Sequence, residues 1–221
     1  ALDPGNAWTR YSLATLYRKL RLPQIGRDVM AEGLHQPLPP DDRAQMLYAQ
    51  ALYLNVIDDE VGARAALAQI PVTNVTPSIR RMQTTLAIRD TARLAREAHA
   101  AGDDAQSERR YADALAMAGD DPELIAEVAR ARVAAGQPEP GLALMRDWLA
   151  AHADKPQPDA QLRYAELLDT AERDAELGTF LAGIDPATLG ADQRAERQDL
   201  QDRLALREAD RARALGDFTT A

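Results

Sequence analysis

Apolar residues recur along this chain at intervals of three and four, and short polar, glycine- or proline-bearing breaks interrupt them every dozen or so positions. That is the period of amphipathic helices packed in pairs. A small residue holds one fixed place in the pattern: Ala14, Ala51, Ala95, Ala129, Ala165 and Ala209. With these alanines at position 8 of a 34-residue unit, the units begin at Ala7, Ala44, Ile88, Pro122, Pro158 and Asp202. A period in the mid-thirties with a small residue at a fixed spot reads as stacked helix–turn–helix repeats. The spot is small because the two helices of a hairpin approach closely there.

Unit one sets the pattern. Leu13, Ala14 and Tyr17 mark one face of helix A, roughly 7–20, and Gly26, Met30, Gly33 and Leu34 mark the facing stripe of helix B. Later units repeat it around turns at Gly102-Asp103-Asp104 and Gly136. Asp121-Pro122-Glu123 and Thr76-Pro77 carry the cap and first-turn proline of a helix start. Pro37-Leu38-Pro39-Pro40 and Lys155-Pro156-Gln157-Pro158 read as stiff connectors.

Successive starts are 37, 44, 34, 36 and 44 residues apart. Each spacing of 44 adds a segment free of Gly and Pro, 78–87 or 192–201, directly before a helix A. This predicts two extended helices, 78–101 and roughly 191–215; two separate short helices in each place are the alternative. The fold expected is all-α, a solenoid of about six helical hairpins interrupted by two extended helices. Starts also pair across the chain (7 with 122, 44 with 158, 88 with 202), which suggests two three-hairpin blocks, 1–117 and 118–221, the second truncated at its C-terminus. Both chain ends fall inside the repeat pattern, so a fragment of a longer protein is expected.

Composition narrows the function. Aromatics make up only 5% of the chain and apolar residues 46%, much of that alanine, which suits thin helix-on-helix packing. A net charge of −9 argues against nucleic acid as a partner. Cysteine is absent, so disulfides and thiolate metal sites are excluded. No apolar run approaches the length needed to span a membrane. His35, His99 and His152 sit in different units, and the acidic pairs fall at turns or helix starts, where capping explains them. No phosphate loop or nucleophile motif appears. A non-enzymatic protein without cofactor or metal is expected. The charge run Arg194 to Arg213 reads as a solvated helix face.

In stacked hairpins the A helices line the concave face. The candidate binding residues there are Trp8, Tyr11, Arg18, Tyr48, Asn55, Arg96 and Arg130, with an acidic stretch in unit five at Asp159, Glu166 and Asp169. Aromatic rings among hydrogen-bonding side chains suit sugar rings or extended peptide equally. Trp8 and Tyr11 could equally pack against a preceding repeat.

Small residues at positions 8 and 20, an aromatic or Leu at 11 and Pro near 32 make the units resemble tetratricopeptide repeats, with departures at Leu177 and Arg132. The run Asp3-Pro4-Gly5-Asn6-Ala7-Trp8-Thr9-Arg10-Tyr11-Ser12-Leu13-Ala14-Thr15-Leu16-Tyr17-Arg18 is more specific. With Tyr48 to Leu52, Ala65 to Pro71 and Thr76-Pro77, it resembles the cellulose synthase operon protein C family. That resemblance implies a periplasmic scaffold, attached to the outer membrane through a β-barrel not present in this chain. Its partners would be protein subunits of a cellulose synthase and export complex, or the glucan chain or a cell-wall polymer. A repeat adaptor unrelated to cellulose is the alternative.

Overall fold

Helix boundaries follow local chemistry. Asn6 caps the first helix, its Oδ1 accepting the amide hydrogens of Trp8 and Thr9 at 3.1 and 2.9 Å. Asp59, Asp103 and Asp121 cap three later helices in the same way, and six helices carry proline at their start. In the computed structural model, which describes residues 6–214, the elements are α1 (Ala7–Lys19), α2 (Pro23–Leu34), α3 (Pro40–Val56), α4 (Glu60–Ala68), α5 (Pro77–Ala100), α6 (Asp104–Ala118), α7 (Pro122–Ala134), α8 (Pro138–Ala151), α9 (Pro158–Thr170), α10 (Asp174–Gly183) and α11 (Ala191–Ala214). No strand occurs among the described residues. The Asp3-Pro4-Gly5 opening of the family motif, position 215 of the second extended helix and Ala221 lie outside them.

Both extended helices form as continuous elements of 24 residues. Each follows a short 3-10 turn, Val72–Asn74 before α5 and Pro186–Thr188 before α11.

The repeat register is visible in three sets of positions. At position 8, Ala14, Ala51, Ala95, Ala129 and Ala165 are all 0% exposed. Ala209 differs: it is half-buried on α11, the last described element. At position 20, Gly26, Ala63, Ser107, Gly141 and Leu177 are all buried. A Cβ built on Gly26 would stand 2.8 Å from the Ala14 carbonyl oxygen, and one on Gly141 would stand 2.7 Å from that of Ala129. Positions 8 and 20 are therefore where the two backbones of a hairpin touch. Ser107 fits for its size, since its buried hydroxyl makes no hydrogen bond among the described residues.

The third set is the turn. Position 15 is left-handed in all five complete hairpins: Arg21 (φ 61°), Asp58 (61°), Gly102 (80°), Gly136 (76°) and Glu172 (55°). Only two of the five are the glycine that such backbone favours.

The chain forms two compact units, Ala1–Leu86 and Ala87–Ala221, divided within α5. In the first, hairpins α1–α2 and α3–α4 pack through Met30, Met46 and Tyr53, and through Leu47, Leu67 and Leu86. Tyr53 is fully buried against Gly26 and donates its hydroxyl hydrogen to the Pro23 carbonyl at 2.7 Å. In the second, one core runs from Ile88 through Tyr111, Leu142, Leu162 and Leu181 to Leu204. The blocks 1–117 and 118–221 follow sequence period rather than packing, and they remain a proposal about duplication.

Candidate functional site

The first unit carries an aromatic cluster on its A helices. Trp8 opens α1, Tyr11 lies one turn on, and Tyr48 stands beside them on α3. The Trp8 ring meets Tyr11 and Tyr48 edge-on, both with centroids 6.2 Å apart and planes at 78° and 85°. Trp8 nonetheless keeps 46% of its surface exposed, while Tyr11 and Tyr48 are half-buried. Burial, and then the neighbouring Tyr11 hydroxyl, raise the Tyr48 pKa, so this phenol stays a hydrogen-bond donor at neutral pH. Arg18 and Asn55 continue the two stripes seven residues further along α1 and α3, Arg18 exposed and Asn55 half-buried.

Trp8 also walls a cleft of about 370 Å³ lined by Asn6, Gln36, Leu38, Asp42 and Gln45. A second cleft, of about 350 Å³, lies on the other side of Gln45 among Asp41, Thr73, Asn74 and Thr76. Among the described residues, neither is lined by a lysine or arginine.

Arg96 and Arg130 belong to the second unit, whose A helices carry a ladder of ion pairs. Arg89 on α5 donates two hydrogen bonds to Glu127 on α7, at 2.9 and 3.0 Å. Arg130 pairs with the same Glu127 at 3.0 Å and reaches Glu166 on α9 at 3.9 Å. Arg163 on α9 then meets Glu166 at 2.5 Å, Glu196 on α11 at 3.2 Å and Glu123 on α7 at 3.3 Å. Burial opposes ionisation of Glu127, but Arg89 and Arg130 prevail and hold its carboxyl below the usual range. Glu196 goes the other way, raised by burial and by neighbouring carboxylates. Arg130 is thus a rung of the ladder; Arg96 is exposed and makes no ion pair among the described residues.

Of the acidic stretch expected in unit five, Glu166 is paired with Arg163 and Asp169 with Arg203 and Arg207, whereas Asp159 stays exposed and, among the described residues, accepts only from the Gln193 amide. Asp169 and Asp174 are only 9% and 7% exposed. Arg207 bonds both, at 2.6 and 2.8 Å, Arg203 reaches Asp169 at 2.9 Å, and Arg211 also pairs with Asp174. These arginines come from the run read as a solvated face of α11. They fasten α11 to α9 and α10 instead, because two buried carboxylates must find cations.

Arg132, the departure at position 11, is 7% exposed. It lies over the Tyr111 ring at 4.1 Å and forks onto Glu108 at 2.6 and 2.8 Å. An arginine plane here replaces an aromatic one. His152 stacks on Trp148 with centroids 4.0 Å apart, and both donate to Asp120. A hydrogen bond to the Trp148 carbonyl, then the Asp120 charge, raise the His152 pKa. No group of three or more His, Asp or Glu that could hold a metal occurs among the described residues, and no helix among them is long and apolar enough to cross a membrane.

Taken with the register, these features define a helical-hairpin repeat protein. Along 99% of its length the chain is homologous to proteins named Cellulose synthase operon protein C: 33% identical to that of Xanthomonas axonopodis pv. citri (strain 306) and 28% identical to that of Pseudomonas fluorescens (strain SBW25). It is a region of the kind found in that family. It spans 14% and 17% of the length of those two relatives. No protein-family model matches the chain. No solved structure matches it.

Proposed function

We propose that this chain is part of a non-enzymatic periplasmic scaffold for bacterial cellulose synthesis and export, held to the outer membrane by a barrel elsewhere in the parent protein. Its A-helix faces engage the export complex or the glucan on the way to the pore. The observation that carries this reading is the likeness, along the whole chain, to proteins named for a cellulose synthase operon. The architecture supports it. Glycine and alanine hold hairpin backbones in contact, and internal ion pairs consume most of the charge on the second unit's A helices. On the first unit's A helices the Trp8, Tyr11 and Tyr48 rings stand together with the Gln45 amide nearby, groups suited to binding rather than to acid–base chemistry.

The test is removal of residues 7–214 from the parent protein in a cellulose-producing bacterium, with secreted cellulose and cell fractions measured together. Loss of secreted cellulose, with the shortened protein still at the outer membrane, is expected. Undiminished cellulose at normal protein abundance would contradict the reading and favour an adaptor unrelated to cellulose.

A further inference from the structure

The two clefts beside Gln45 share a chemistry that the scaffold reading leaves unspecified. They adjoin along the start of α3, with Gln45 lining both. Each falls at the small end of the volumes that small-ligand sites occupy, on the order of 300–1,000 Å³. One end has the half-exposed Trp8 ring. Gln36, Asp42 and Gln45 make no side-chain hydrogen bond or ion pair among the described residues. The far end is already organised: Asn74 donates to Asp41 at 2.6 Å and accepts from the Thr73 hydroxyl at 3.0 Å.

Amides both donate and accept, and carboxylates accept. A run of such groups next to an indole matches a ligand whose hydroxyls do both and whose ring offers an apolar face. Asp41 and Asp42, with no cation lining either cleft, disfavour phosphate, uronic acid or acidic peptide.

We infer that these adjoining clefts form one saccharide-binding track for a neutral, extended β-1,4-linked chain, with Trp8 as the stacking platform and Gln45 as the shared hydrogen-bonding group. This rests on the scaffold reading and names the ligand class of its first unit. An uncharged polymer that must keep moving suits this chemistry. Its contacts are individually weak, and no ion pair has to be broken at each step.

The test is calorimetric titration of the full chain with cellohexaose, chitohexaose and maltohexaose, alongside Trp8→Ala and Gln45→Ala with circular dichroism as the fold control. Saturable cellohexaose binding is expected, weakened roughly tenfold by Trp8→Ala through loss of the aromatic face and about fivefold by Gln45→Ala. Should Trp8→Ala fail to fold, the exposed Gln45 still decides. Chitohexaose bound in preference keeps the saccharide track and moves its source to a cell-wall polymer. Absence of binding by either β-1,4 hexasaccharide, or equal binding of bent maltohexaose, overturns the inference. If no hexasaccharide binds while removal of 7–214 still abolishes cellulose, only the saccharide assignment fails. A normal cellulose yield after that removal means the scaffold reading fails as well.

Discussion

Substituting alanine for Gly141 and for Gly178 makes the same chemical change in neighbouring B helices, and the structure gives the two opposite signs. A methyl on Gly141 would lie 2.7 Å from the Ala129 carbonyl oxygen, 2.9 Å from Val133 Cγ2 and 3.3 Å from Arg132 Cβ. Its closest neighbour is backbone, so α7 and α8 must separate by several tenths of an ångström along a contact where Ala129 is 0% exposed. Overpacking of this kind costs about 1–3 kcal/mol. Helix propensity returns at most about 1 kcal/mol for Gly→Ala, and less here because Gly141 lies in the first turns of α8. The net expectation is a loss of about 1–2 kcal/mol. A methyl on Gly178 in α10 meets only Leu204 Cδ2, at an ordinary 3.4 Å, so propensity acts alone and the chain gains about 0.4–1 kcal/mol. Urea unfolding followed by circular dichroism at 25 °C, with both variants and the parent chain on one day, reads the difference as midpoint shifts in opposite directions. Equal midpoints, or a gain at Gly141, would refute the close contact of positions 8 and 20.

Two further outcomes follow from local geometry. Glu172→Gly replaces a left-handed residue at the one turn position common to five hairpins and should raise stability by about 0.5–1 kcal/mol in the same urea assay, the αL penalty outweighing glycine's entropy. The second is pH. Asp174 is buried, which opposes its charge, but Arg207 and Arg211 hold its carboxyl below the usual value, and Glu127 is likewise lowered against its burial. Their contribution is complete above the unfolded carboxylate range of about 4 and disappears as pH falls through the lower folded values. Glu196, raised, acts with the opposite sign. Urea midpoints should therefore change little from pH 7 to 5 on account of Asp174 and Glu127 and fall steeply below about 4. Asp174→Asn should lower the pH 7 midpoint and flatten the acid slope; an unchanged slope would detach Asp174 from the network.

The backbone was largely legible in the sequence because its rules are local. Apolar period, caps and first-turn prolines placed α1 and both extended helices within a residue or so of their described bounds, and five of the six alanines in the register are enclosed, Ala209 being the exception. The turn was half legible. Glycine announces left-handed backbone at 102 and 136, whereas Arg21, Asp58 and Glu172 adopt it under pressure from the packed hairpins and give no local sign. Charge was the least legible. Arg89 and Glu127, like Arg207 and Asp169, are 38 residues apart, about one repeat, so spacing within a helix could not reveal them. Comparing equal heights on successive A helices would have. The aromatic cluster was visible as residue types on a stripe; the clefts beside it depend on how the 36–38 connector and the 73–76 turn fold back toward α3.

If the aromatic face of α1 and α3 is the working surface of the proposed cellulose-export scaffold, cellulose output must depend on it. The direct measurement is cellulose secreted by cells whose parent protein carries Trp8→Ala with Tyr48→Ala, against cells carrying Val61→Ala, at matched protein abundance. Val61 is 71% exposed on α4 and away from that face. The double substitution should cut cellulose output several-fold, and Val61→Ala should leave it unchanged. Equal output from both strains would contradict the proposal.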